Sequence, residues 1–255
     1  MKRLIAAAVA LTLIVLPAAD VAAWGASGHR MVGQAAMRAL PEELPAFLRT
    51  QEAAAQVGEL SREPDRWKGG GQPHDRERDT AHFVDMTADG LIMTEAGPHI
   101  RDLPTLKSEY DAQLLAAGIK VNDAGYLPYA IMDAWQQVVQ DFAYWRILVA
   151  AEARETDLAR QAWYREDRLR REALILRDIG MLSHYIGDGA QPLHTTIHYN
   201  GWDRNTDNPE GFTRSRQTHG MFEGDFVRDR VNLQGIEAAM TAPSREASNR
   251  IAAST

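Results

Sequence analysis

Histidine stands at positions 29, 74, 82, 99, 184, 194, 198 and 219, among 35 aspartates and glutamates and with no cysteine anywhere in the chain. Without thiolates, iron–sulfur clusters, Cys-type structural zinc, a thiol nucleophile and disulfides are all excluded, so any metal must be held by imidazole and carboxylate. Two histidines stand four residues ahead of an acid, His184 with Asp188 and His219 with Glu223. On a helix such a pair projects from one face about a turn apart and can reach the same ion. Mixed imidazole and carboxylate donors suit zinc better than magnesium or calcium, whose shells are rich in oxygen. One pair alone is an ordinary surface hydrogen bond; accumulation makes the case. Asp188 comes late in an apolar helical pattern beside Leu182, Tyr185 and Ile186, where a bare charge is costly. His194 follows a Gly-Asp-Gly-Ala-Gln-Pro turn that brings it back towards the helix end, and His82 sits within Ala81-His82-Phe83-Val84-Asp85, apolar on both sides.

The start of the chain bears on the same chemistry. Lys2 and Arg3 precede an apolar run from Leu4 to Leu16, and Val21-Ala22-Ala23 offers the small residues that a signal peptidase reads. A run of that length is too short to span a bilayer, which needs about 20 residues. Residues 1–23 therefore read as a signal peptide cleaved between Ala23 and Trp24, and the protein is expected to be secreted or periplasmic, without a stable membrane anchor and as a monomer. Cleavage would make His29 the sixth residue and free an α-amine at Trp24; with a pKa of about 8 it deprotonates readily beside a cation and can chelate together with its own carbonyl. The net charge of −7 gives no long-range attraction to polyphosphate, which excludes a DNA-coating role but leaves a nuclease whose metals supply local positive charge. In an oxidising compartment without disulfides, bound metal is a candidate for securing the fold.

Helical periodicity dominates what must position these residues. Ser27 is a candidate cap for a helix over about 29–40, and Pro41 for the first turn of the next segment. Over about 128–151, Ile131, Trp135, Val138, Phe142 and Trp145 recur at three and four residues; a second run covers about 158–188, its first half dense in Arg, Glu and Asp. Turn formers cluster at 69–73, 97–98 and 200–211, the only strand-like candidates are short stretches such as 82–85, and the tail after about Thr241 reads as weakly ordered. The expectation is an all-α fold: one mostly helical domain over residues 24–255.

In five stretches the sequence resembles the zinc-dependent phospholipase C and S1/P1 nuclease superfamily: Trp24-Gly-Ala-Ser-Gly-His29, Pro64-Asp65-Arg66-Trp67, His82-Phe-Val-Asp85, His184-Tyr-Ile-Gly-Asp188-Gly-Ala-Gln-Pro-Leu-His194 and His219-Gly-Met-Phe-Glu223. The resemblance implies a helical domain enclosing a cleft with three zinc ions. One zinc would take Asp65, His82 and His184, with Asp188 bridging to a second held by Trp24 through its amine and carbonyl and by His29. The third would take His194, His219 and Glu223. The implied activity is phosphodiester hydrolysis by a metal-bound hydroxide. Asp65 is then either a ligand only or a ligand that also orients or deprotonates the water, and Asp85 is placed to be an acceptor that fixes an imidazole. His74, His99 and His198 are left as loop residues.

Substrate class divides the family. Glu223 at the last ligand position, with Phe222 before it and Phe226-Val227 after it, leans towards a phospholipid headgroup; the short spacing from Trp24 to His29 resembles the nucleases acting on single-stranded nucleic acid. Trp67, Tyr199, Trp202 and Phe212 could line a base pocket, touch lipid or simply pack. A reading from another class is a non-catalytic exported zinc-binding protein, against which the dispersal of the histidines, one or two per motif, weighs.

Overall fold

The computed structural model describes residues 24–93 and 99–240, and the architecture is that of a mostly helical single domain. The first helices are α1 (Gly25–Arg38), α2 (Gln51–Leu60), α3 (Glu63–Arg66), α4 (His74–Asp79), α5 (Lys107–Ala116) and α6 (Val121–Ala124). Two long helices follow, α7 (Leu127–Arg154) and α8 (Leu158–Gly189). Then come α9 (Thr218–Gly220), a π-helical stretch Met221–Phe226 that continues it, α10 (Val227–Arg230) and α11 (Leu233–Ala239). Among the described residues, strand is confined to Ile92–Met93 paired antiparallel with His99–Ile100.

The hairpin of α7 and α8 is the spine. Pro128 lies in the first turn of α7, where its missing N–H costs nothing, and the Asp157 side chain caps α8 by accepting from the Arg160 N–H. At about 1.5 Å per residue, the 32 residues of α8 run about 48 Å. Two apolar clusters flank it. Tyr110, Leu114, Leu127 and Val138 pack with Leu182 and Tyr185 on one side, and Met37, Leu48, Val57 and Ile175 on the other. Phe142 and Ile179 touch both.

One glycine sets how closely the elements approach. A Cβ on Gly180 would stand 2.8 Å from Leu60 Cβ and 3.0 Å from the Ser61 nitrogen, so only glycine lets α8 cross the end of α2 at this distance. The crossing delivers the Ser61 carbonyl to His184 one helical turn further on.

Several local expectations are corrected. Helix α1 begins at Gly25, so Ser27 lies inside its first turn, and Trp24 occupies the cap position without its side chain accepting a capping bond from the helix. Pro41 opens an irregular turn, and the next helical turn is the 3₁₀ segment Ala46–Arg49. Residues 82–85 form no strand: His82 closes a 3₁₀ turn, and the backbone beyond it pairs with single residues, Val84 N–H to His194 O and Asp85 N–H to Ala124 O. Alternation of apolar and polar side chains is weak evidence in so short a stretch when helices supply the pairing partners. The signal-peptide reading of 1–23 and the tail after Thr241 fall outside the described residues.

Candidate metal centre

Four segments, α8 and three others, bring five side chains together at one end of α8. From α1 comes His29, from α3 Asp65, from the 3₁₀ turn before residue 83 His82, and from the last turns of α8 His184 and Asp188. His29, His184 and Asp188 are fully buried. Asp188 lies between the imidazoles: its Oδ1 is 3.3 Å from His29 Nε2, while its Oδ2 is 3.2 Å from His82 Nδ1 and 3.3 Å from His184 Nε2. Asp65 is placed similarly, with Oδ2 4.0 Å from His29 Nε2 and Oδ1 3.9 Å from His82 Nδ1. A second cluster adjoins. His194 Nε2 is 3.1 Å from Glu223 Oε1, His219 Nε2 is 2.7 Å from Glu223 Oε2, and the two imidazole nitrogens are 3.3 Å apart. The clusters are joined through His82, whose carbonyl accepts from His194 Nδ1 at 2.5 Å.

Among the described residues, three groups bring ligand atoms within 4.8 Å of one another: His29 with Asp65 and His184, His82 with His184 and Asp188, and His194 with His219 and Glu223. All eight expected side-chain ligands belong to these groups. Trp24 sits beside them, its indole Nε1 donating to the Gly187 carbonyl at 2.8 Å and its own carbonyl accepting from Gly28 N–H. It holds a left-handed conformation, φ 51°, uncommon for a bulky side chain, and the indole bond helps fix it there.

The donor set fits metal ions. His184 Nδ1–H donates to the Ser61 carbonyl at 2.7 Å and His194 Nδ1–H to the His82 carbonyl, which leaves both Nε2 atoms as acceptors. Those lone pairs face carboxylate oxygens and other ring nitrogens. His184 Nε2 is 2.9 Å from His82 Nδ1, and both ring nitrogens of His29, with Asp188 Oδ1, are buried without a hydrogen bond. Acceptor facing acceptor in a dry interior is repulsive unless a proton or a cation stands between.

Charge states follow the same layout. Burial alone would raise Asp188, but the imidazoles of His184, His29 and His82 outweigh it and hold the acid well below its usual value. Glu223 is likewise opposed by burial and is brought down to about 2 by His194 and His219. Burial lowers His29 and His82, favouring the neutral rings that ligate metal.

Reading the residues missed three partners. Ser61 contributes a backbone carbonyl, which leaves no mark in residue type. Gln191 donates its amide to Glu223 Oε1 while its own oxygen accepts from Leu193 N–H; its place between Asp188 and His194 was the available signal. Lys68 pairs with Asp65 Oδ1 at 2.9 Å, one turn after it. Asp85 is buried beside the cleft and belongs to none of the three groups. His198 stacks on Trp202 with centroids 3.8 Å apart and also stays outside them, and His74 begins α4. Of the four singled-out aromatics, Tyr199 alone lines the cleft, a cavity of about 960 Å³ that also presents Lys68, Asn200, Arg216 and Met221. Comparison with protein-family models, curated proteins and solved structures finds no match to this chain.

Proposed function

We propose that this chain is an exported zinc-dependent phosphodiester hydrolase of the phospholipase C and S1/P1 nuclease kind, with three zinc ions. The observation that carries the reading is the convergence of His29, Asp65, His82, His184 and Asp188 with His194, His219 and Glu223, their acceptor atoms turned on one another behind a cleft that His82, His194 and His219 line. His82, His184, Asp65 and Asp188 would hold one ion, His29 and the backbone of Trp24 a second shared through Asp188, and His194, His219 and Glu223 the third. Zinc bound there would polarise a phosphate and lower the pKa of water.

The chain's own groups divide the remaining work. Asp188, with no solvent contact, holds the imidazoles in place. Asp65 is the one carboxylate of its cluster that solvent reaches, at 11% exposure; its Oδ1 is buried beside Lys68 Nζ, which leaves Oδ2 to take a proton from an attacking water. Lys68 Nζ, drawn to Asp65 and raised in pKa by it against the effect of burial, keeps its charge in the cleft and offers it to a phosphate oxygen. Second contacts at Ser61 and Gln191 fix His184 and Glu223, a role whose loss costs 10–100-fold in comparable sites.

For substrate, the apolar edge beside Glu223 favours a phospholipid at an interface: Met221, Phe222 and Phe226 are all exposed, and the two phenylalanine rings stack with centroids 5.6 Å apart. A second reading, single-stranded nucleic acid, draws on the His198–Trp202–Phe212 stack on the segment that supplies Tyr199 and Asn200 to the cleft. The test is hydrolysis by the zinc-loaded chain starting at Trp24. Bis(p-nitrophenyl) phosphate should be cleaved, with loss of activity in Asp188→Ala, and phosphatidylcholine micelles should yield diacylglycerol. Nucleotide release from single-stranded DNA without diacylglycerol would select the second reading. Tight zinc binding with no diesterase activity would overturn both and leave a zinc-binding protein.

A further inference from the structure

Helix α7 has two apolar faces, and the fold of the described residues uses one. The inner face packs Ala134 and Val138 with Leu182 and Tyr185 of α8. Its buried acid is answered there: Arg171 reaches Asp141 Oδ1 at 2.6 Å, and Arg177 reaches the neighbouring Asp178 at 2.7 Å. The outer face runs Met132, Trp135, Val139, Ala143, Ile147 and Ala150, spaced three or four residues apart as one helical stripe. Met132, Trp135, Val139 and Ile147 are each at least 37% exposed, and none of them belongs to either apolar cluster. Single exposed apolar side chains are ordinary on a protein surface; a continuous stripe of them marks a surface that something covers. The flanks of the stripe are nearly uncharged. From Leu127 to Ala151 the only charges besides the buried Asp141 are Asp133 and Arg146. The solvated half of α8 shows the contrast, since every residue from Arg165 to Arg168 is charged.

The stripe is complementary to itself when a second copy runs the other way. Centred on Ala143, an antiparallel pair sets Val139 against Ile147 and Trp135 against Ala150 and Ala151. A large side chain then meets small ones at each end, and two alanines meet at the crossing, where the backbones come closest. The same register places Asp133 of one copy beside Arg154 of the other on one flank, and a two-fold axis repeats the pair. Both side chains are exposed, and neither has an ion pair among the described residues.

We propose that α7 forms the two-fold interface of a homodimer, its outer stripe packed antiparallel on the same stripe of a second copy. From Met132 to Arg154 the helix rises about 33 Å, and a contact that long and one helix wide belongs with the small, concentration-dependent interfaces. The monomer expected from the sequence is then the dilute form of the protein. No residue of α7 lines the cleft, so both clefts stay open in the dimer, and the interface stands independently of the phosphodiesterase reading.

Sedimentation velocity of the zinc-loaded chain starting at Trp24, over a series from about 1 to 200 µM, tests it. The weight-average mass should rise towards twice that of the chain as concentration increases. Val139→Glu, at an exposed position, should weaken association about tenfold or more, while hydrolysis of bis(p-nitrophenyl) phosphate stays unchanged. Asp133→Arg and Arg154→Asp should each weaken it about threefold or more, and the double variant Asp133→Arg/Arg154→Asp should recover wild-type association. A chain monomeric throughout the series, a dimer indifferent to Val139→Glu, or a double variant no better than either single one would overturn the proposal.

Discussion

Three of the acids on helix α8, Glu166, Asp178 and Asp188, sit in three surroundings, and the same side-chain chemistry behaves differently in each. Glu166 is two-thirds exposed and meets Arg170 one turn on at 3.1 Å. Asp178, twelve residues later, is buried against Asp141 and held protonated up to about pH 6. Asp188, a further ten residues on, is buried more completely, yet the imidazoles around it keep its carboxyl ionised far below the usual range. Burial alone therefore does not decide the charge state of an acid on this helix. At Asp178 it is the largest cause of the raised carboxyl, seconded by Asp141, whereas at Asp188 three imidazoles outweigh it, and at Glu166 water and a mobile guanidinium leave it little part.

The largest way to break the comparison is to remove the most committed acid. Asp188→Ala takes away the group that faces His29 on one side and His82 and His184 on the other, and diesterase activity is expected to fall about 100-fold or more, the upper end of what losing a supporting contact costs. Asp85→Ala, a buried acid outside the three ligand groups, should cost about tenfold. Equal losses measured as kcat/KM would deny Asp188 its special place.

Metal removal comes next. Ligands drawn from α1 to the π-helical stretch tie metal binding to folding. Zinc at about 1,000 times its Kd adds about 4 kcal/mol, so EDTA should lower Tm by roughly 8–16 °C at 2–4 °C per kcal/mol. A melting curve unmoved by EDTA would separate the ligand cluster from the fold.

Asp178 should respond in the opposite sense. Its folded carboxyl titrates near 6 against the ordinary 3.8, so the folded state keeps a proton that the unfolded chain has released. The associated stability is fully present below about pH 4 and is lost as pH rises to about 6. Asp178→Asn should remove that slope and stabilise the protein at pH 8 by up to about 3 kcal/mol, a Tm rise of roughly 6–12 °C. A destabilised variant at pH 8 would show that the Arg177 pair outweighs the repulsion from Asp141. The smallest effect belongs to the exposed pair: Arg170→Ala should change stability by about 0.5 kcal/mol or less, read from urea midpoints.

Much of the ligand cluster was legible because it is written in residue type and spacing. His184 and Asp188 one turn apart in an apolar pattern required both a helix and a compensating partner, and the structure supplies α8 and three imidazoles. The two long helices were readable within a few residues for the same reason, sustained periodicity. What could not be read was set by contacts between distant segments. The Ser61 carbonyl acts through backbone, and the crossing that places it depends on what a Cβ at Gly180 would strike. Asp141 did carry a signal, a charge on the apolar stripe between Val138 and Phe142, but its meaning depends on Asp178 arriving from the neighbouring helix.

The central claim is that the convergent acceptors exist for metal, three ions per chain. Zinc counted by mass spectrometry after equilibrium dialysis, on protein beginning at Trp24, measures this directly. Three zinc ions per chain are expected, falling to two when extra residues remain ahead of Trp24, because the second ion then loses the free amine. One ion or none, or a count indifferent to the start of the chain, would contradict the account.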